Sequence, residues 1–221
     1  MKTVAVIPAF NEGPVIGSVV RGALLQVDEV IVVDDSSSDN TSEAAREAGG
    51  QVVRHAVQRG AGRATATGIQ AALRLGADFI VTLDADGQHL TEEIPLVVQP
   101  LKDGEADMTL GCRLVDRASM PRLRRFGNDL ANMWTWLLFG VKVSDSQSGY
   151  RGLTRATAQK LPLEARGYEF CSETLGAAGR LGLRIVEVPV TVVYTDYSMS
   201  KGQTVLTSVK TLARIGRASL R

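Results

Sequence analysis

The stretch Val81-Thr-Leu-Asp-Ala-Asp-Gly-Gln-His89 is an apolar strand pattern that ends abruptly in two aspartates one residue apart. Two adjacent anions at the end of a buried strand are costly unless a cation meets them. In an extended backbone, Asp84 and Asp86 point to the same side, and their carboxylates are the type of ligand that Mg²⁺ prefers. A simple turn explains the same residues, since Asp-Gly is a common turn pair. Taken alone, the stretch leaves a metal site and a turn equally open.

The residues around this stretch alternate between Val/Ile-rich strand patterns and helix patterns. The strand patterns are Val4–Ile7, Val30–Val33, Val52–Val53 and Phe79–Leu83, and the helix patterns between them are Val15–Leu25, Thr41–Ala48 and Ala64–Leu75. Apolar strands separated by helices predict an α/β fold, with a mostly parallel sheet flanked by helices. Ligands of such sheets bind beyond the carboxyl ends of the strands. Polar residues follow three of these strands, at Pro8–Glu12, Asp34-Asp35 and Asp84–Asp86, which predicts one shared site.

The second half of the chain has a less regular pattern. A strand pattern at Asp107–Gly111 precedes a basic segment, and an aromatic-rich helix pattern follows at Leu130–Phe139. The remaining patterns are a loop at Ser144–Arg151, a helix near Ser172–Leu181, a strand at Arg184–Val193 and a helical tail at Val205–Leu220. Because no repeat or linker interrupts the chain, we expect a single domain over residues 1–221.

Composition excludes several classes of function. The net charge of +1 gives no field that would recruit nucleic acid. Two cysteines, Cys112 and Cys171, are too few for a disulfide framework or a zinc site. No signal peptide is recognised and no apolar run reaches the roughly 18 residues of a membrane span, so we expect a cytoplasmic protein. The phosphate-binding loop of P-loop nucleotidases and the dinucleotide fingerprint after the first strand are both missing from the sequence.

Five motifs occur in a fixed order along the chain. They are Pro8-Ala-Phe-Asn-Glu12, Val32-Val-Asp-Asp-Ser-Ser-Ser-Asp-Asn-Thr41, Asp84-Ala-Asp-Gly-Gln-His89, Asp145-Ser-Gln-Ser-Gly-Tyr-Arg151 and Ser200-Lys201. In this order and spacing they resemble the family 2 glycosyltransferases, in particular the dolichol- or polyprenyl-phosphate sugar synthases of the dolichol-phosphate mannosyltransferase branch. The resemblance implies a nucleotide-diphospho-sugar transferase (GT-A type) fold. Residues 1–112 would be its nucleotide-sugar-binding half, and residues 113–221 an acceptor-binding half with a C-terminal amphipathic helix.

The resemblance also implies roles for individual residues. The implied nucleotide-sugar-binding residues are Pro8, Ala9, Phe10, Glu12, Asp34, Asp35, Asp84, Ala85 and Asp86. The implied ligands of Mg²⁺ or Mn²⁺ are Asp84, Asp86 and Gln88. The implied catalytic residues are Arg113 at the diphosphate or sugar, with Arg151 and Lys201 near the reacting groups. Asp145 and Glu173 are further candidate catalytic residues, because a carboxylate can act as a general base. An arginine that many members carry before the Ser-Lys pair is absent, so Arg124 and Arg125, together with Arg151, are the expected acceptor-binding residues.

The function expected from these motifs is metal-dependent, inverting transfer of a hexose from a nucleotide diphosphate sugar, GDP-mannose or a UDP-hexose, to a polyprenyl phosphate. A phosphate acceptor needs no general base, because its second pKa is about 6. A hydroxyl acceptor needs one, and Asp145 and Glu173 are the candidates. The alternatives are transfer to a soluble or glycan hydroxyl, a sugar nucleotidyltransferase and a non-catalytic nucleotide-binding module.

The aromatic segment Met133-Trp-Thr-Trp-Leu-Leu-Phe139 has two interpretations, a core helix and a helix at a membrane surface. Trp134 and Trp136 suit a membrane interface, and the arginines that precede them suit lipid phosphates. The basic helical tail has the same two readings, since a solvated face and an interfacial helix share the pattern. We expect a cytoplasmic protein under both interpretations, and the interfacial one would make it peripheral at the inner face of the cell membrane.

Overall fold

The fold is an α/β arrangement built on one seven-stranded sheet, seen in a computed structural model that describes residues 1–112, 129, 132–137, 139–163 and 169–193. The strands are β1 Thr3–Ala9, β2 Glu29–Asp34, β3 Gln51–Arg54, β4 Phe79–Thr82, β5 Met108–Cys112, β6 Arg151–Thr154 and β7 Ile185–Pro189. Their order across the sheet is β3-β2-β1-β4-β6-β5-β7. The predicted mostly parallel sheet flanked by helices is confirmed.

Strand β1 lies at the centre of the parallel part of the sheet. It pairs in parallel with β2 and β4, so that Val6 lies beside Ile31 on one side and Thr82 on the other. Strand β6 is antiparallel to β4, and its first residue, Arg151, pairs with Thr82. The loop that leads into β6 therefore lies at the same edge of the sheet as the carboxyl end of β4.

Helices cover both faces of the sheet. They are α1 Gly13–Leu24, α2 Thr41–Glu47, α3 Ala61–Arg74, α4 Ile94–Lys102, α5 Arg155–Lys160 and α6 Glu169–Arg180, and a 3₁₀ turn, Thr91–Glu93, precedes α4. Alternate residues of β1 serve the two faces, because side chains of a strand point in opposite directions. Ile7 packs in the core with Ile16 of α1, and Val6 packs in the opposite core with Ile69 of α3.

Three elements differ from the predicted pattern. Strand β6 occupies the end of the predicted loop Ser144–Arg151 and continues to Thr154, and helices α4 and α5 had no predicted counterpart. The aromatic segment is helical at residues 132–137 and 139. The predicted tail helix, Val205–Leu220, lies outside the described residues. Within the described part of the chain, no helix is long and apolar enough to cross a membrane.

Candidate functional site

The loops that follow β1 and β2 are joined to each other at the carboxyl edge of the sheet. Asn11 and Ser36 both adopt positive φ angles, 55° and 69°. The backbone N–H of Asn11 donates to the Ser37 hydroxyl (2.9 Å), and the Asn11 side-chain oxygen accepts from the Ser38 N–H (2.8 Å). Positive φ is uncommon outside glycine, so these contacts hold the two turns in a conformation that most side chains disfavour.

The two aspartates at the end of β2 have different surroundings. Asp34 is fully buried and accepts from the Ser37 N–H (2.8 Å) and the Ser42 hydroxyl, with Arg54 at 3.4 Å. Burial alone would raise the pKa of Asp34, but the hydrogen bonds from Ser37 and Ser42, aided by the charge of Arg54, lower the pKa below its usual value. Its carboxylate is thus bound within the chain, and contact with a nucleotide stays a prediction.

Asp35 holds the start of α3. Its Oδ1 atom lies 2.7 Å from Nδ1 of His55 and accepts from the Arg59 N–H (2.8 Å), while Oδ2 accepts from the Gly60 N–H (2.7 Å). Nε2 of His55 lies 3.0 Å from the Thr67 hydroxyl, so both ring nitrogens have partners. Asp35 therefore ties β2, β3 and the N-terminus of α3 together beside the cleft described below.

Glu12, Ala9 and Phe10 complete the edge after β1. Glu12 is buried at the N-terminus of α1, where its N–H donates to the Thr41 hydroxyl (2.8 Å). Ala9 is buried, whereas 41% of Phe10 is exposed and open to a stacking partner. Ala85, after β4, is also buried. Phe10 is therefore the exposed side chain of this group, while Glu12 is buried close enough to Asp86 for its charge to act on that carboxyl.

The 84–90 loop brings two carboxylates together next to Glu12. Asp84 is exposed, while Asp86 is partly buried and accepts from the Gln88 N–H (3.0 Å). Burial raises the pKa of Asp86 to about 6, and the negative charges of Asp84 and Glu12 add to this effect. A site that raises a carboxyl pKa in this way is short of positive charge.

These residues suit a divalent cation that is completed by substrate oxygens. Among the described residues, no group of three or more His, Cys, Asp or Glu side chains is assembled that could hold a metal ion without further ligands. Mg²⁺ commonly takes one or two carboxylates together with substrate phosphates, and Asp84, Asp86 and the Gln88 amide supply oxygen donors of this kind. The shortage of positive charge around Asp86 fits the same cation.

The 144–150 loop, which leads into β6, is held from several sides. Arg151 is buried and donates from Nε to Ser148 O (2.8 Å), from Nη1 to Cys171 O (2.9 Å), and from Nη2 to Ser146 O (2.9 Å). Within the same loop, Asp145 is only 2% exposed. Arg151 therefore commits most of its donors to backbone carbonyls and supports this loop. Its role near the reacting groups stays a prediction.

Glu187 and Asn132 hold the beginning of the same loop. The Glu187 carboxylate accepts from the N–H (2.6 Å) and the hydroxyl (2.8 Å) of Ser144 and from the Cys112 thiol (2.9 Å). Asn132 donates to Ser144 O (2.6 Å) and accepts from the Ser146 N–H (2.8 Å). The loop is thus attached to β5, β7 and the helical residues 132–137.

A cleft opens between the N-terminus of α3, the end of β4 and the 144–150 loop. Its volume, including the part open to solvent, is about 500 Å³. The lining residues are Pro8, Ala61, Gly62, Thr65, Thr82, Leu83, Asp84, Gln147, Gly149, Arg151, Phe170 and Cys171. Three predicted residues therefore line one cleft, namely Pro8, Asp84 and Arg151. A fourth, Glu173, is partly buried on α6, two residues after the lining residue Cys171.

Several residues that shape this site carry no clear signal in the sequence. His55 gave no signal beyond its place after β3, although it contacts Asp35. Tyr150 lies within a quoted motif, but its ring packs on His89, with centroids 4.9 Å apart. Four predicted residues, Arg113, Arg124, Arg125 and Lys201, lie outside the described residues, and their roles stay predictions.

Several relatives align with most of the chain. An uncharacterised protein of Methanocaldococcus jannaschii is 40% identical, over 95% of this chain and 89% of its own. The UDP-N-acetylglucosamine–dolichyl-phosphate N-acetylglucosaminyltransferase of Methanococcus voltae is 36% identical, over 95% of this chain and 93% of its own. The undecaprenyl-phosphate mannosyltransferase of Micrococcus luteus is 31% identical, over 91% and 87%. Both named activities join a sugar to a polyprenyl phosphate.

A solved structure shares the fold over nearly all of the chain. It is the glucosyl-3-phosphoglycerate synthase of Mycobacterium tuberculosis in complex with Mn²⁺, UDP and glucosyl-3-phosphoglycerate, with a TM-score of 0.79 and 25% identity, over 99% of this chain and 78% of that one. The expected GT-A type fold is confirmed by this likeness. The model of the family described as Glycosyl transferase family 2 matches residues 4–160. The chain is therefore a glycosyltransferase that belongs to family 2, and its relatives include sugar transferases named for dolichyl phosphate and undecaprenyl phosphate.

Proposed function

We propose that this protein is a metal-dependent, inverting glycosyltransferase that moves a hexose from a nucleotide diphosphate sugar to a polyprenyl phosphate at a membrane surface. The observation that carries the proposal is the meeting of Asp84, Asp86 and Glu12 at one sheet edge, where burial, together with the charges of Asp84 and Glu12, raises the pKa of Asp86 to about 6. Such a cluster favours a cation, and a cation favours a diphosphate donor. The activities of the relatives support a lipid phosphate as acceptor.

In this proposal the nucleotide lies along the ends of β1 and β2. Exposed Phe10 stacks on the base, since an aromatic face accommodates a planar ring. The carboxylate of Glu12 accepts hydrogen bonds from ribose hydroxyls or base N–H groups. Asp35 contributes through the loop that it holds at the start of α3, together with Pro8 and the backbone of Ala9. Asp34 stabilises the turn after β2 through its hydrogen bonds with Ser37 and Ser42.

The metal would be held by Asp84, Asp86 and Gln88. A bound Mg²⁺ or Mn²⁺ would neutralise charge on the donor diphosphate as it departs. In the step itself, a bond forms between an acceptor oxygen and the anomeric carbon, and the bond from that carbon to the diphosphate breaks. The electron pair of the broken bond leaves with the nucleoside diphosphate. Arg113 and Lys201 are the side chains proposed to stabilise this anion.

A phosphate acceptor agrees with the surroundings of Asp145. A general base has to reach the proton that it removes, and Asp145 is only 2% exposed. A phosphomonoester needs no such base, because it is already anionic near neutral pH. Arg124 and Arg125 are proposed to bind this phosphate. Asp145 and Glu173 keep the role of base only for the second candidate function below.

Membrane contact is proposed for the helical residues 132–137. Asn132 contacts the 144–150 loop and Thr135 is buried, whereas Trp134 is 41% and Trp136 53% exposed. Indole rings suit the headgroup region of a bilayer, where one edge is wet and the body is apolar. This face would bring the lipid phosphate toward the 144–150 loop. A cytoplasmic, peripheral location follows as part of the same proposal.

The decisive experiment is a transfer screen over UDP-, GDP- and dTDP-sugars with Mn²⁺, with and without polyprenyl phosphate. We expect a lipid-linked sugar phosphate from one donor, detected by mass spectrometry, and loss of product with a chelator. Asp86→Ala should abolish transfer, while Asp103→Ala, at an exposed carboxylate after α4, should not. Activity of Asp86→Ala equal to wild type would overturn the metal assignment.

A second candidate function is transfer to a soluble acceptor, which the likeness to glucosyl-3-phosphoglycerate synthase favours. The same screen includes 3-phosphoglycerate and a glycan with free hydroxyls. Product with either of these and none with the lipid would replace the first proposal. If the acceptor is a hydroxyl, Asp145→Asn or Glu173→Gln should lower the rate by several orders of magnitude while donor binding is preserved.

A further inference from the structure

The 84–90 loop and the 144–150 loop are in direct contact. The Thr82 hydroxyl, at the end of β4, donates to Gly149 O (2.7 Å). The Tyr150 hydroxyl donates to Leu90 O (3.1 Å), and its ring packs on His89. The Asp84 N–H in turn donates to Nδ1 of His89 (3.3 Å). Each end of the 84–90 loop is therefore attached to residues 149 and 150.

Gly149 lies against the carboxylate of Asp84. A Cβ atom at Gly149 would come within 2.9 Å of both Cγ and Oδ2 of Asp84, and closer still to Oδ1. Side-chain Cβ atoms do not approach other atoms this closely, so a larger residue would displace the carboxylate. The φ angle of Gly149 lies outside the left-handed region, so alanine fits the backbone itself. A glycine is therefore required at position 149 by the nearby carboxylate of Asp84 and not by the backbone conformation.

We propose that Gly149 is a positioning residue for the Asp84 carboxylate, so that the 144–150 loop sets the geometry of the metal site. The inference rests on the proposed metal site and adds to it a residue 65 positions away in the chain. Gly149 limits the directions in which the Asp84 side chain can point. Thr82 fixes the distance between the two loops through its hydrogen bond.

The proposal predicts a specific effect of Gly149→Ala. Because the displaced atoms are the end of one exposed side chain, the fold should survive the substitution. The carboxylate should turn away, and changes in the supports of metal ligands typically weaken metal binding about 10- to 100-fold. We therefore expect Mn²⁺ to bind at least about tenfold more weakly to Gly149→Ala than to the wild type.

Gly152→Ala is the matched control. Its added Cβ would come within 2.8 Å of Cδ1 of Leu101, a buried residue of α4, and would also meet the buried hydroxyl of Thr109. This variant should lose thermal stability and keep the Mn²⁺ affinity of its folded fraction. Gly149→Ala should show the opposite pattern. A role that is merely structural would move stability in both variants and Mn²⁺ affinity in neither.

The test is a Mn²⁺ titration followed by the electron paramagnetic resonance signal of the free ion, with and without a nucleoside diphosphate. Gly149→Ala is compared in the wild-type background and in Asp84→Asn, and circular dichroism checks the fold. If Gly149 acts through Asp84, it should weaken binding in the first background and have no further effect in the second. Equal losses in both backgrounds, or none in either, would overturn the inference while leaving the proposed function in place.

Two further outcomes are decisive. If Gly149→Ala does not fold, Thr82→Val carries the test, because it removes the hydrogen bond to Gly149 O at nearly constant volume, and unchanged Mn²⁺ affinity would then refute the inference. If the wild type binds no Mn²⁺ with any nucleotide, the metal assignment of the proposed function fails, and the positioning role fails with it.

Discussion

The raised pKa of Asp86 predicts that Asp86→Asn makes the metal-free protein more stable. A pKa of about 6, against an ordinary value of 3.8, means that the folded state disfavours the ionised carboxylate. At about 1.4 kcal/mol per pKa unit, the ionised form destabilises the folded state by about 3 kcal/mol. Asparagine carries no charge and keeps an oxygen that can accept from the Gln88 N–H. The variant should therefore lack this penalty at every pH.

The pH dependence gives the prediction its sign. Below the unfolded pKa, near pH 4, both states hold the proton and the carboxyl has no effect on stability. Between pH 4 and pH 6 the folded state binds the proton that the unfolded state has lost, so the stability of the wild type falls as the pH rises. Above pH 6 the full penalty remains. The stability difference between Asp86→Asn and the wild type should grow from near zero at pH 3.5 to about 3 kcal/mol at pH 7.5.

Urea unfolding in the presence of a chelator, repeated at several pH values, measures this difference. Asp84→Asn is the control, and it should recover a smaller part of the stability, because burial is the largest cause of the shift and the charge of Asp84 is second. Added Mn²⁺ with nucleotide should reverse the order, since the ion stabilises only the protein that can bind it. An Asp86→Asn variant that is no more stable than the wild type at pH 7.5 would show that the folded state does not disfavour the ionised carboxylate.

Substitutions at Arg151 and His55 test the surroundings of the site, and replacement of two tryptophans tests the proposed membrane face. Arg151→Met should lower the free energy of unfolding by about 3 kcal/mol or more, because each of three buried carbonyls loses a partner at about 1–3 kcal/mol, and Arg151→Lys should recover little of it. Thermal or urea unfolding measures both, and a change below 1 kcal/mol would contradict the contacts described. His55→Ala should raise the KM for the donor more than it lowers kcat, since Asp35 loses the partner that fixes it; steady-state kinetics decides, and an unchanged KM argues against this. Replacing Trp134 and Trp136 together by alanine should reduce co-sedimentation with anionic vesicles about tenfold, at the majority of the salt concentrations tested. Turnover of a short-chain, water-soluble acceptor should be retained. Equal sedimentation of the variant and the wild type would exclude this face as the membrane contact.

The parallel half of the fold was predictable because its strands repeat one pattern. Buried parallel strands read as short Val/Ile runs, and the polar residues after β1, β2 and β4 mark the edge where ligands bind. Strand β6 was not predictable in this way. Its four residues, Arg151–Thr154, include an arginine and a glycine, and they are extended because β4 and β5 both pair with them. Pairing partners so distant in sequence leave no local pattern.

The site was predictable in its location and less so in the role of each side chain. Asp34 and Asp35 are neighbours of the same type, but the first is bound by Ser37 and Ser42 under the turn, and the second by backbone N–H groups at α3. Residue type cannot distinguish these surroundings. Arg151 is a similar case, because an arginine near a predicted active site suggests anion binding, whereas its guanidinium meets backbone carbonyls. His55 has no pattern at all until β3 is placed beside β2.

The late position of β6 in the chain, far from its partner β4, has a consequence for the order in which the protein folds. The parallel strands β1 to β4 can pair as soon as residues 1–82 have been synthesised, since every contact among them lies within that segment. Thr82 reaches Gly149 across 67 residues, so this contact closes a long chain loop and forms late. A nascent chain that stops before β6 would contain Asp84 and Asp86 but lack Gly149, which lies against the Asp84 carboxylate in the folded protein. The proposed capacity to bind a metal should thus appear at the end of folding, after the parallel part of the sheet is already in place.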